Sequence, residues 1–142
     1  MPYDSLLVQP FRDELTHLGF QELMTAADVD AFLQEKAGTA LLVINSVCGC
    51  AAGKARPAIG MALQHSVKPD KVATVFAGGD DEATAHVREI LSDYPPSSPS
   101  MALFQDGKPV FMLHRRDIEP RDAMQIADIL TEAFDRYCAA KA

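Results

Sequence analysis

Two cysteines separated by a single glycine (Cys48, Gly49 and Cys50) follow an apolar run that spans residues 39–45. An alanine-rich segment comes directly after them, in the stretch LLVINSVCGCAAGKARPAIGMAL. Thiols at this spacing could form a structural disulfide, supply metal ligands or act as a redox centre. The remainder of the sequence distinguishes these three chemistries.

The structural and metal-binding roles have little support. A disulfide across one residue closes a trivial loop, so it removes little conformational entropy from the unfolded chain. A closed zinc site needs four ligands and usually shows cysteine pairs with two-residue gaps. Only Cys138 and four scattered histidines remain as further ligands of this kind. The composition therefore favours redox chemistry.

The segment after the cysteines, residues 49–66, has the alanine content and the four-residue apolar spacing of a helix. Cys48 would then lie between a buried strand and a helix N-terminus, whose unpaired N–H groups stabilise an anion. We expect a lowered thiol pKa at Cys48, which makes it the nucleophile, with Cys50 as the partner thiol. Lys54 and Arg56 add positive charge nearby, although their side chains could point to solvent.

A disulfide between Cys48 and Cys50 would close a small, strained ring, and strain makes a disulfide easier to reduce. Gly49 is the residue least hindered in adopting the backbone that this ring requires. Such a pair suits exchange with mixed disulfides, or isomerisation, better than strong reduction of other proteins.

Hydrophobic periodicity predicts the order α-(β)-α-β-α-β-α-β-β-α. The first predicted elements are a helix ending near Gly19, a short strand at 20–24 and a helix from Thr25 to Gly38. Strands 39–45 and 71–77 follow, with the helix at 49–66 between them, and then a helix within 78–91 that is capped by Asp80. The last predicted elements are strands 100–105 and 108–113 and a helix opened by Pro120. Asp106-Gly107 is a strong hairpin signal between the last two strands. The expected architecture is an α/β domain, a mixed sheet with helices on both faces.

Length and composition set further expectations. A chain of 142 residues is expected to form one domain over 1–142, and its net charge of -7 argues against a nucleic-acid or membrane partner. No run approaches a membrane span, and the N-terminus lacks the basic and apolar regions of a signal peptide. The expected location is therefore the cytoplasm, where thiols are kept reduced.

The sequence resembles the bacilliredoxin family over nearly its whole length. The resemblance rests on INSVCGCAAGKARPA at 44–58, on VFAGGDDEATAHVREIL and YPPSSPS, and on the closing AFDRYC. It implies a thioredoxin-like fold, here with an extra N-terminal helix, and thiol–disulfide exchange. By the same resemblance Cys48 attacks a mixed disulfide between bacillithiol and a client protein, and Cys50 is the resolving thiol. Bacillithiol is then the exchanging low-molecular-weight thiol, with no tightly bound cofactor.

The resemblance extends to a proline before the hairpin. Pro99 matches the thioredoxin pattern in which a cis-proline opens the strand before the hairpin, so Ser98-Pro99 is expected to be cis and to lie opposite Cys48. Gly49, Ser98 and Pro99 are accordingly the expected substrate-binding residues. One departure is clear, because the usual Cys-x-x-Cys of thioredoxins is absent.

Two other functions stay open. A protein disulfide isomerase would rearrange scrambled disulfides without capturing a small thiol, and weak isomerase activity is attributed to the family. A non-enzymatic metal or iron–sulfur carrier would use Cys48, Cys50 and Cys138. The expected partners are bacillithiolated client proteins and the small thiol, with the chain a monomer or a weak homodimer. His114 is expected at a solvated edge of the hairpin.

Overall fold

A five-stranded mixed sheet carries helices on both faces. The computed structural model describes residues 5–34, 38–46, 51–77, 80–94 and 99–138. The strands are β1 (Gln21–Glu22), β2 (Thr39–Asn45), β3 (Lys71–Phe76), β4 (Ser100–Gln105) and β5 (Lys108–Leu113). The helices are α1 (Ser5–Thr16), α2 (Ala26–Gln34), α3 (Arg56–Ala62), α4 (Asp81–Ile90), α5 (Arg115–Ile118) and α6 (Ala123–Tyr137), and a π-helical segment, Ala51–Ala55, precedes α3. No helix within the described ranges is long and apolar enough to span a bilayer.

The strand order β1-β3-β2-β4-β5 brings the ends of distant segments together. β1, β3 and β2 are mutually parallel, whereas β4 runs antiparallel to β2 and β5. One edge of the sheet therefore contains the carboxyl ends of β1, β2, β3 and β5 and the amino end of β4. We call it the carboxyl edge. The α/β class and the mixed sheet predicted from the sequence are confirmed.

The central strand β2 is buried along its whole length, which explains its unbroken run of apolar residues. Leu41 and Val43 pack on the face covered by α3 and α6. Leu42 and Ile44 point to the opposite face, against α2 and α4. Each such side chain contributes about 1.5–3 kcal/mol on burial, so this strand is held firmly between two layers of helix.

The hairpin between β4 and β5 follows the prediction residue for residue. Asp106 and Gly107 have positive φ angles of 53° and 84°. Two successive positive φ values define the type I′ turn that matches the twist of the strands it joins. The turn thus fixes the register of β4, which pairs with β2 at the centre of the sheet.

The helix predicted over 49–66 is shorter and less regular than expected. Its described part consists of the five-residue π-helical segment and the seven-residue α3. Pro57 lies in the first turn of α3, where a missing N–H leaves no hydrogen bond unmade. The proline is therefore accommodated by a change of helix type instead of by a kink inside one long helix.

The last helix begins at a different residue from the one predicted. Pro120 lies in the turn after the short α5, and α6 starts at Ala123 with Asp122 as its N-cap. The Asp122 carboxylate accepts from the Gln125 N–H at 2.8 Å, and the Gln125 side chain accepts from the Asp122 N–H at 2.9 Å. This reciprocal capping box satisfies two backbone donors, which makes Asp122 the stronger start signal.

We expect Asp122→Ala to lower the free energy of unfolding by about 1 kcal/mol, because it leaves the Gln125 N–H without its cap. Urea denaturation followed by circular dichroism measures this change. Asp128→Ala is the matched control, since Asp128 is an exposed residue in the middle of the same helix. Its effect should stay within about 0.5 kcal/mol, and equal losses in the two variants would contradict the capping role.

A charged contact between α2 and α4 predicts a pH dependence of stability. The His86 Nε2 lies 2.6 Å from the Asp30 carboxylate, and this hydrogen bond raises the pKa of His86 above its ordinary 6.5. The folded state then holds the proton more tightly than the unfolded chain does. The resulting stabilisation is full below pH 6.5 and is lost as the pH rises through the raised pKa.

We therefore expect His86→Gln to destabilise the protein at about pH 5.5 and to have a smaller effect at about pH 8.5. Melting temperatures of the two proteins across this range provide the measurement. Asp30→Asn should reproduce the same pH profile, because it removes the other half of the contact. A difference that grows with rising pH would contradict the assignment.

Candidate functional site

The carboxyl edge is where the sequence places the reactive thiols. β2 ends at Asn45, and Ser46 is the last described residue before the cysteines. Cys48, Gly49, Cys50 and Ser98 lie outside the described residues, so their roles stay predictions. The structure describes the segments on either side of them in the chain, which are the end of β2, the π-helical segment and the start of β4, and the helix α1 at the same edge.

A buried arginine links three elements at the end of β2. Arg56 is 3% exposed, and its Nη1 donates to the Asn45 side-chain oxygen at 2.9 Å and to the Ser46 carbonyl at 3.1 Å. Its Nε donates to the Glu14 carboxylate on α1. The guanidinium also lies 4.9 Å from the centre of the Phe11 ring. This side chain is turned inward, whereas the sequence left open that it points to solvent.

Asn45 completes this network. Its side-chain oxygen accepts from the Ser46 N–H at 2.9 Å, and its side-chain nitrogen donates to the Phe11 carbonyl at 3.1 Å. The side chain of Asn45, at the end of an apolar strand, is thus hydrogen bonded to the backbone and to Arg56. Asn45 and Ser46 are therefore held by the Arg56 side chain of α3 and by the Phe11 backbone of α1.

A second arginine holds α1 to the neighbouring strand end. Arg12 donates twice to Asp80, at 2.7 and 3.0 Å, and the Asp80 carboxylate also accepts from the Phe76 N–H at 3.1 Å. The hydrogen bond and charge of Asp80 raise the pKa of Arg12. Asp80 is the N-cap residue of α4, as predicted, but its side chain makes no capping hydrogen bond to that helix. Its carboxylate accepts from Arg12 and from the Phe76 N–H instead.

Pro99 lies at the same edge. It is buried and directly precedes β4, which pairs Ser100 with Ile44 of β2. Continuing this register by one residue brings Pro99 opposite Asn45, three positions before Cys48. Its role in substrate binding and the cis bond to Ser98 stay predictions, since Ser98 lies outside the described residues.

His114 is not at a solvated edge, as the sequence suggested, but 8% exposed. It follows β5 at the carboxyl edge, and its ring centre lies 5.9 Å from that of Tyr94. Its backbone N–H donates to Asp117, which closes the short helix α5. A four-residue helix has too little periodicity to be seen in a sequence, and Tyr94, the ring partner of His114, is 20 positions away in the chain.

Lys54 differs from Arg56 in its surroundings, although both carry charge near the cysteines in sequence. Its side chain is only partly buried, and its Nζ donates to the Glu119 carbonyl after α5. A partly solvated ammonium acts weakly at a distance because water and salt screen it.

Cys138 lies far from the end of β2. It is the buried C-cap residue of α6, and the carbonyl of its neighbour Tyr137 accepts from Gln105 at 3.2 Å. Gln105 pairs with Thr39, the first residue of β2, so this contact is at the opposite edge of the sheet. Six strand steps, about 20 Å, separate Thr39 from Asn45. This position disfavours Cys138 as a third exchange thiol or third ligand.

Metal binding gains no support from the part of the chain that is described. Within it, no group of three or more His, Cys, Asp or Glu side chains is arranged to hold a metal ion. Cys48 and Cys50 lie outside this part of the chain.

The residues that sequence reasoning missed are those whose partners are distant in the chain. Arg56 and Glu14 are 42 positions apart, and Arg12 and Asp80 are 68 apart. The one local signal is Asn45, a polar residue at the end of an otherwise apolar strand that has to hydrogen bond when buried.

Comparison with known sequences gives a consistent family. A family model described as disulphide isomerase matches residues 3–138. A bacilliredoxin of Koribacter versatilis is 49% identical over 140 residues, which cover 99% of this chain and 97% of the relative. A bacilliredoxin of Salinibacter ruber is 55% identical, covering 97% of this chain and 82% of its own. One of Geobacillus kaustophilus is 50% identical, covering 96% and 94%.

Comparison of the structure shows the fold. Thioredoxin of Fasciola hepatica superposes with a TM-score of 0.59 at 20% identity, over 83% of this chain and 99% of that chain. A thioredoxin of Halobacterium salinarum gives a TM-score of 0.57 at 16% identity, over 83% and 89%. The mixed sheet, its flanking helices and the near-complete sequence matches agree. The chain belongs to the bacilliredoxin family, thiol–disulfide oxidoreductases with the thioredoxin fold.

Proposed function

We propose that this protein removes bacillithiol from mixed disulfides on oxidised proteins, with Cys48 as the nucleophile. The observation that carries the proposal is the Cys-Gly-Cys sequence directly after β2 in a chain about 50% identical to bacilliredoxins. In open α/β sheets, ligands bind beyond the carboxyl ends of the strands, and β2 is the central strand here. The reaction belongs in a compartment with a reducing thiol pool, so we propose the cytoplasm.

The chemistry is two thiol exchanges. The Cys48 thiolate attacks the bacillithiol sulfur of the mixed disulfide, and the client sulfur leaves as a thiolate and takes up a proton. Cys50 then attacks the Cys48 sulfur and releases bacillithiol, leaving a Cys48–Cys50 disulfide. Alternatively, a second bacillithiol attacks the adduct and leaves as the small disulfide. Because all electrons stay on sulfur, the reaction needs no tightly bound cofactor.

Disulfide isomerisation is the second candidate, because the matching family model carries that description. It uses the same nucleophile on a different substrate. An isomerase attacks a disulfide between two protein thiols, and the protein itself is the leaving group. The two functions therefore differ in whether a small thiol ends up on Cys48.

One experiment with two substrates separates the candidates. The protein is mixed with a client that carries a single bacillithiol mixed disulfide, and separately with a small protein whose disulfides have been scrambled. Intact mass spectrometry follows release of bacillithiol from the first, and recovery of native activity follows the second. The same client modified with glutathione is the control for selectivity.

Fast loss of bacillithiol from the client, with slow recovery of the scrambled protein, is the result we expect. Recovery of the scrambled protein without transfer from the bacillithiolated client would contradict the proposal and favour isomerisation. Equal transfer from the glutathione-modified client would contradict selectivity for bacillithiol while leaving thiol exchange in place.

A further inference from the structure

Arg56 has a hydrogen-bond donor that the described structure leaves unused. Its Nε binds Glu14 and its Nη1 binds Asn45 and Ser46, but Nη2 is buried and has no partner within the described residues. A buried donor without an acceptor destabilises a fold, and in native proteins such a group calls for an explanation. A hydrogen-bond acceptor in the functional site would explain the unused donor.

The charge of this arginine is only partly balanced. Two of its three acceptors, the Asn45 side-chain oxygen and the Ser46 carbonyl, are neutral. The third, the Glu14 carboxylate, is 47% exposed, so water screens much of its charge. The guanidinium itself is 3% exposed. A positive field therefore persists at the end of β2, where few water molecules can weaken it.

Chain connectivity keeps Cys48 within reach of this field. Nη1 contacts the Ser46 carbonyl, and Nη2 is bonded to the same guanidinium carbon as Nη1. Consecutive Cα atoms are about 3.8 Å apart, so the Cα of Cys48 lies within about 7.6 Å of that of Ser46. A cation close to a thiol stabilises the thiolate form and lowers the thiol pKa, most of all where water is excluded.

We propose that Arg56 is the positioning residue that holds Cys48 as a reactive thiolate. Its Nη1 fixes the end of β2 through Asn45 and Ser46, while its charge and its unused Nη2 act on the sulfur anion. The five-residue π-helical segment and the seven-residue α3 follow directly after Cys50, so the charge of Arg56 acts in addition to the helix predicted there. This inference rests on the proposed function for the identity of the nucleophile.

Other ionisable groups share the carboxyl edge. They include Glu14 and Arg12 on α1, Glu22 at the end of β1, Lys54 on the π-helical segment, Asp80 after β3, and His114 and Asp117 after β5. Arg12 and Asp80 neutralise each other in a bidentate pair. Glu14 is the group that directly opposes the charge of Arg56, which makes it the informative partner to substitute.

The test measures the pKa of Cys48 directly, with no bacillithiol present. The rate of alkylation by iodoacetamide is recorded against pH in a Cys50→Ser, Cys138→Ala background. Arg56→Gln should raise the Cys48 pKa by about one unit and slow alkylation near pH 6 about tenfold. Glu14→Gln should do the opposite and lower the pKa, because it removes the negative charge that offsets Arg56.

Lys54→Gln is the matched control, since it removes the same charge from the same stretch of chain at a partly exposed position. It should shift the Cys48 pKa less than Arg56→Gln, and the shift should vanish in about 1 M salt. Glu14 is half-exposed, so its variant tests the charge effect even where Arg56→Gln fails to fold. If Arg56 had only a structural role, Glu14→Gln would not lower the pKa of Cys48.

An unchanged pKa in Arg56→Gln, a raised pKa in Glu14→Gln, or an equal shift in Lys54→Gln would each overturn the inference. Because the assay contains only the protein and an alkylating agent, its outcome is independent of which disulfide the enzyme acts on. If the variants show the expected shifts of the Cys48 pKa but bacillithiol is not transferred, only the proposed function is rejected.

Discussion

Serine in place of Cys48 should reduce release of bacillithiol from a modified client to the background rate of small-thiol exchange. A hydroxyl at this position stays protonated at neutral pH and cannot form the disulfide adduct that the mechanism requires. The fold should be kept, because serine differs from cysteine in one atom and the sheet is stabilised by the apolar rows of β2. Intact mass spectrometry over time provides the rate.

Cys138→Ala is the matched control for this variant. Cys138 is buried at the C-terminus of α6, on the opposite edge of the sheet from Asn45, so its replacement should leave the exchange rate unchanged. Full activity in Cys48→Ser, or loss of activity in Cys138→Ala with an unchanged melting temperature, would contradict the assignment of Cys48 as the nucleophile.

Asp80→Asn should lower the free energy of unfolding by about 3 kcal/mol. The Asp80 side chain is 3% exposed and that of Arg12 is 11% exposed, so removing the carboxylate leaves a largely desolvated guanidinium with only the Glu22 carboxylate, at 3.4 Å, as counter-charge. The same change weakens the acceptor for the Phe76 N–H at the end of β3. Urea denaturation at neutral pH measures the loss.

Two further variants test the cause of this loss. Asp81→Asn removes an adjacent but exposed carboxylate and should cost less than about 0.5 kcal/mol. Combining Asp80→Asn with Arg12→Leu should recover part of the stability, because removing both charges leaves no buried ion without its partner. A loss in Asp80→Asn no larger than in Asp81→Asn would contradict a buried ion pair between α1 and the sheet.

The parts of the fold that are encoded locally were predictable. β2 covers residues 39–45 as expected, because a strand packed on both faces needs an unbroken apolar run. The hairpin turn at Asp106 and Gly107 is correct because only a few residues tolerate two successive positive φ angles. The short strand near residue 21 and the helix after Thr25 were also predicted, with small differences in their ends.

The parts that depend on distant partners were not predictable. Arg56 and His114 are charged or polar, and such residues are mostly exposed, so a sequence pattern assigns them to solvent. Arg56 contacts Glu14 and Phe11 of α1, and the His114 ring contacts Tyr94, so these partners are distant in the chain. The π-helical turn before Pro57 is likewise a compromise between local propensity and packing.

The candidate site divides in the same way. The two thiols and their roles were predicted from Cys48, Gly49 and Cys50, because the residue types and their spacing can be read directly from the sequence. The electrostatic setting was readable only in part, because helical structure follows the cysteines from Ala51 as expected, whereas the buried guanidinium beside Ser46 depends on distant partners. Which group tunes a thiol is a matter of tertiary contacts.

Trapping the bacillithiol adduct identifies which cysteine is the nucleophile and which reaction it carries out. The Cys50→Ser variant is mixed with a client that carries one bacillithiol mixed disulfide, and the products are analysed by intact mass spectrometry and peptide mapping. The account predicts a released client thiol and one bacillithiol on Cys48. The hydroxyl that replaces the Cys50 thiol cannot form a disulfide, so the adduct has only Cys48 and Cys138 as possible sites. An adduct on Cys138, or a client that keeps its bacillithiol, would contradict the account.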